Sequence, residues 1–184
     1  MLPIEDRVTV VDRYQFATGS SDLTMRSTGV SDADVLLAAG FAAANDKRGE
    51  FGLLMHRMRG SGDRRGFESA CAQAERWLVG RGVRQREKIA KRDARHIAEL
   101  VVNWWLHDVC VSCQGRRWLG VPGTMRLSAT ECHACHGSGR RPLETIIPRH
   151  HAGQARWLSA EFDSIAAYVV GQMARRIAPS LDLG

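Results

Sequence analysis

The chain has 184 residues, 26 of them basic and 20 acidic, for a formal charge of +6 and a pI near 9.5. It is long enough to bury its own core. Residues 1–7 hold no apolar signal segment and no run is long enough to span a bilayer, which argues against a membrane protein or a secreted disulfide scaffold and for a cytoplasmic one. The charge favours a polyanionic partner without requiring one.

Residues 1–30 show no sustained period and cluster Gly, Ser, Thr and Asp, which reads as a flexible or loosely docked leader. Ser31 with Asp34 three residues on forms a capping-box variant that opens a helix over SDADVLLAAGFAAAN. Phe51, Leu54, Met55 and Met58 recur at i, i+3, i+4 and i+7, a second helix. Residues 60–66 form a loop, and a third helix spans 67–79 with Gly80 and Gly82 ending it. Cys71 falls at helical spacing with Phe67, Ala70, Ala74, Trp77 and Leu78 and is expected in the core.

Residues 81–95 carry seven basic and two acidic side chains. On one helix running to about His107, Arg84, Lys88, Lys91 and Arg95 would form a stripe opposite Ile89, Ile97, Leu100, Val101 and Trp104. That stripe fits a solvated face, a nucleic acid or an acidic protein surface. After residue 140 comes a second basic cluster: Arg140, Arg141, Arg149, His150, His151 and Arg156. An apolar stripe of Phe162, Ile165, Ala166, Val169, Met173 and Ile177 predicts a closing helix from Ser159, stopped by Pro179. No alternating strand run lies outside the cysteine segment. The expected fold is all-α, in chain order a leader (1–30), a helical body (31–109), a zinc-binding insertion (110–140) and a helix-turn-helix-like segment with the closing helix (141–184).

Between the two basic clusters lie Cys110-x-x-Cys113 and Cys132-x-x-Cys135, with eighteen residues between the pairs. Zinc takes four thiolates at tetrahedral corners, and two such pairs at this spacing supply them. Gly115 and Gly137 follow the pairs, as a backbone wrapping round a metal at positive φ requires. A full thiolate shell leaves no open position, so one structural Zn2+ is expected, without water activation. His133 and His136 could replace a thiolate, but four cysteines already close the shell. No Gly-x-Ser-x-Gly, phosphate-binding loop, His-Glu-x-x-His or deaminase pattern is present, so no catalysis and no small-molecule substrate are expected.

Cys132 to Gly139 reads CHACHGSG and resembles the cysteine-rich domain of DnaJ-type chaperones; the first pair, CVSCQGR, lacks the second glycine, and no His-Pro-Asp occurs. A wider resemblance covers about residues 29–177. The helix GVSDADVLLAAGFAAANDKRGEFGLLMHR, an amphipathic helix ending at Trp104-Trp105 before CVSC, and the second knuckle followed by a basic stretch, Ile147-Pro148, Gln154-x-x-Trp157 and a closing helix stand in the order seen in lambdoid phage antitermination Q proteins of the zinc-containing type. That resemblance implies a factor that binds double-stranded DNA at a phage late promoter, engages host RNA polymerase holoenzyme paused there, and makes it read through terminators. It would act by helix-turn-helix, with Gln154 and Arg156 reading base edges and Arg140, Arg141 and Arg149 holding phosphates. The alternative is a zinc-stabilised chaperone-like or adaptor module that binds proteins.

Overall fold

A computed structural model describes residues 9–21, 23–24, 31–44, 47–62, 64–86, 89–121, 123–124 and 126–177. Six α-helices are α1 (Val10–Thr18), α2 (Asp32–Ala44), α3 (Lys47–Ser61), α4 (Phe67–Gln85), α5 (Lys91–Leu106) and α6 (Ala152–Ile177). The described strands are β1 (Trp118–Gly120) and β2 (Leu127–Glu131), which pair antiparallel inside the cysteine segment. The fold is thus helical with a four-cysteine excursion. Among the described residues no helix is long and apolar enough to cross a membrane.

The chain forms two compact units, one from Met1–Ala70 with Ala160–Gly184 and one from Cys71–Ser159. α4 and α6 each contribute residues to both.

In the first unit the cap of α2 forms as expected. Ser31 and Asp34 exchange hydrogen bonds, the Ser31 N–H donating to the carboxylate at 2.9 Å and the Asp34 N–H to the hydroxyl at 3.2 Å. The leader expectation fails for residues 10–18, which form α1. Thr9 and Asp12 make a second capping box, and Tyr14 and Ala17 are buried with Val35, Ala38, Ala39 and Ala42 of α2, Leu53 of α3, and Val169, Met173 and Ile177 of α6. Gly52 lets α3 approach α6, since a Cβ there would lie 2.5 Å from Val169 Cγ2. Phe51 and Phe162 pack with ring centroids 5.3 Å apart.

The second unit corrects the sequence reading in two places. α4 does not end at Gly80; it continues through Gly80 and Gly82 to Gln85. The basic stretch is then not one helix. The chain leaves α4 at Arg86, which takes a left-handed φ of 56°, and α5 starts at Lys91. A residue in that conformation ends a helix as a glycine would, but without a glycine to mark it. Arg84 and Lys91 therefore sit on different helices, and Lys88 lies outside the described residues. Arg95 spends its charge on Glu99 at 2.6 Å, with Glu75 of α4 at 4.0 Å. Cys71 is fully buried, as its spacing predicts.

The segment after the cysteines is turn and helix: a single 3-10 turn lies at Leu143–Thr145, a second at Arg149–His151 leads into α6, and α6 carries Gln154, Arg156 and the expected closing helix as one element. Pro142 and Pro148 precede the two turns and fix φ at their entries. Pro179 lies outside the described residues.

Candidate metal centre

Each knuckle is a short turn built to the same plan. In the first, Gln114 and Gly115 adopt φ of 52° and 81°; in the second, His136 and Gly137 adopt 50° and 72°. The Arg116 N–H then donates to Cys113 O and the Ser138 N–H to Cys135 O, both at 3.0 Å. The turns are cross-tied symmetrically. The Cys110 N–H donates to Gly139 O at 2.9 Å and the Cys132 N–H to Arg117 O at 2.8 Å. In each case the acceptor stands four residues past the other knuckle's second cysteine. The two knuckles are related by a local pseudo-twofold, which brings both sulfur pairs to one point.

Cys110, Cys113, Cys132 and Cys135 are all buried, with their sulfurs within 4.8 Å of one another. Sγ–Sγ separations are 3.9 Å for Cys110–Cys132 and 3.7 Å for Cys113–Cys135. A tetrahedron with metal–sulfur bonds of about 2.3 Å has edges of about 3.8 Å, so the four atoms fit one ion. The Cys113 backbone N–H draws the Cys110 thiol down to about 7, against burial, whereas burial pushes Cys132 up to about 11. Four thiolates this close repel one another, and a cation lets all four ionise. His133 and His136 are exposed and outside the cluster.

Arg117 occupies the position equivalent to Gly139 and holds φ at 71°, against 76° for the glycine. The turn is retained there with a side chain that does not favour it, at a cost of about 1–2 kcal/mol. Gly139 itself is not replaceable in this way: a Cβ would meet Gly115 O at 2.7 Å.

Arg140 does not project as a phosphate contact. Its Nε donates to the carboxylate of Asp108, which is fully buried, and its guanidinium lies 4.6 Å over the Trp104 ring. Trp104 Nε1 donates to Arg141 O at 2.8 Å, and the Arg141 N–H to Asp108 O. These contacts bolt the cysteine lobe to the end of α5. The sequence reading missed Asp108 and Trp104 as anchors, because a lone aspartate and a tryptophan on an apolar stripe carry no spacing signal.

The remaining candidates are scattered around the start of α6. Arg149 and His150 are exposed, and the Arg156 side chain is 65% exposed, with Glu144 its one ion-pair partner among the described residues, at 3.8 Å. His151 is held below the ordinary imidazole value by partial burial and by His150, with His96 of α5 adding to this and Asp93 opposing. Near neutral pH it therefore adds little positive charge. Gln154 borders a narrow cleft with Leu78, Arg81, Gly82 and Ile89, so it faces α4.

No family model matches the chain, and no curated protein or solved structure does.

Arg140→Ala should destabilise the protein by about 3 kcal/mol, because it removes the cation paired with the buried Asp108 carboxylate, while Arg149→Ala should shift stability by less than about 0.5 kcal/mol. Equal effects in urea unfolding would contradict the anchor role. The pseudo-twofold makes a second forecast. Arg117→Gly should stabilise by about 1 kcal/mol, and Gly139→Ala should cost at least about 2 kcal/mol. Thermal melts of the metal-loaded variants measure both, and a destabilising Arg117→Gly would refute the strain.

Proposed function

We propose that this protein is a transcription antitermination factor. It binds double-stranded DNA at a phage late promoter and acts on RNA polymerase holoenzyme paused there, so that the polymerase passes terminators. The metal is one structural Zn2+, which suits a closed all-thiolate site and holds shape without catalysing a reaction.

The observation that carries the reading is a basic edge on an anchored base. The cysteine lobe is fixed to α5 through Asp108–Arg140 and Trp104–Arg141, and the chain runs from it directly into the turn and helix bearing Arg149, His150 and Arg156. These side chains flank the N-terminus of α6, a 26-residue helix whose dipole favours phosphate at that end. The Arg156–Glu144 contact is long and between exposed groups, and such pairs contribute little. Arg156 is therefore available to a base edge and Arg149 to a phosphate, while Gln154 is turned away. Exposed Lys91 and Arg92 open α5, whose Asp93 and His96 act on His151, so the basic edge extends there. The polymerase part of the proposal is supported by the order of the segments: small-residue helix, amphipathic helix into CVSC, glycine-rich second knuckle, basic stretch and closing helix.

The test is transcription through a terminator by purified polymerase, started from the late promoter of the phage or prophage that encodes the chain. Wild-type protein should raise readthrough on templates carrying that promoter and not on others. The Arg149→Ala/Arg156→Ala variant should lose promoter affinity at least about tenfold and lower the salt slope by about 2. An absence of both readthrough and promoter-specific binding would leave the protein-binding module as the better account.

A further inference from the structure

The cysteine lobe exposes more apolar surface than its own stability explains. Eleven large hydrophobic side chains are exposed among the described residues, and five of them fall between Val109 and Leu127: Val109, Val111, Trp118, Val121 and Leu127. On β1, Leu119 packs on the cysteines while Trp118 and Gly120 on either side of it are exposed. The register pairs Trp118 with Glu131 and Gly120 with Leu127, with an irregularity between the two pairs, and Trp118 and Leu127 are both exposed. A metal-held hairpin needs no tryptophan or leucine there. Arg116 and Arg117 directly precede Trp118 and Arg126 directly precedes Leu127; all three are exposed, and no carboxylate lies within ion-pair distance of them among the described residues. Glu131, the one acidic residue of the hairpin, rests its carboxylate against Gly137.

We propose that this hairpin is a docking surface for an acidic protein face with an apolar pocket, and that the polymerase supplies it; only the identity of the partner rests on the antitermination reading. Tryptophan and arginine are the residues that concentrate binding energy at protein interfaces. A nucleic acid would use the arginines and could stack on Trp118, but it would leave Val121 and Leu127 in water, and their burial is worth having only against an apolar partner. Charge chooses among proteins: three arginines with no carboxylate partner among the described residues, one of them, Arg116, hydrogen-bonded to Cys113 O and Gln114, repel a basic surface and steer an acidic one. The hairpin and the Arg149–Arg156 edge are separate stretches of the chain, so a protein and DNA can be held by different residues.

The experiment immobilises purified RNA polymerase holoenzyme and measures binding of the zinc-loaded full chain by interferometry, alongside promoter-duplex binding and metal content. Wild-type protein should bind polymerase more weakly as salt rises. Arg126→Glu, a change at an exposed position, should weaken that binding at least tenfold, and Trp118→Ala should do the same with less salt dependence. Both variants should keep one metal per chain and duplex affinity within twofold of wild type. Variants that retain metal and bind polymerase like wild type would overturn the docking surface, as would variants that keep polymerase but lose DNA. Wild-type protein that binds the promoter duplex and ignores polymerase would instead overturn the antitermination reading and, with it, this choice of partner.

Discussion

Convergence of four thiolates is the constraint on which the rest of this structure depends. The cysteine lobe is built from two tight turns and a short hairpin, and its buried cluster is the four cysteines with Leu119 packed against them. So little apolar burial cannot offset the conformational entropy of ordering that much chain. Metal coordination by the four cysteines would supply what a hydrophobic core otherwise does, as in other small metal-held folds. The geometry follows from that demand. Positive φ at Gln114, Gly115, His136 and Gly137 is tolerated because it aims two sulfurs from each turn at one point.

The metal lobe matters to function through its attachment. Asp108 and Trp104 stand at the end of α5, and Arg140 closes on both. A buried carboxylate paired with an arginine is poor evidence for extra stability, but it fixes the position of the chain that leaves the second knuckle. From there the chain reaches the two 3-10 turns and α6 within a dozen residues. Loss of metal would therefore free Arg140, and with it the direction in which Arg149 and Arg156 point.

Much of this was legible in the sequence, and the exceptions have physical causes. The paired Cys-x-x-Cys motifs, the glycines behind them, the Ser31–Asp34 cap and the burial of Cys71 could be read directly, since each rests on local spacing. α1 also announced itself, by Thr9 and Asp12, but its weak amphipathicity hid the signal. The length of α4 was not readable. Glycine in a helix costs about 1 kcal/mol, yet Gly82 is buried, so packing outweighs propensity there. The true break falls at Arg86, a residue type that gives no warning of left-handed backbone. Arg140 looked like its neighbours in the basic cluster; only a tertiary partner 32 residues away sets it apart.

The most direct test of the central claim is a cobalt titration of the reduced, metal-free protein, followed by absorption. The account requires saturation at one Co2+ per chain with the spectrum of a tetrahedral all-thiolate site, displacement by one equivalent of Zn2+, and loss of that spectrum in Cys132→Ser. Saturation without thiolate charge-transfer bands, or an unchanged spectrum in the serine variant, would contradict it.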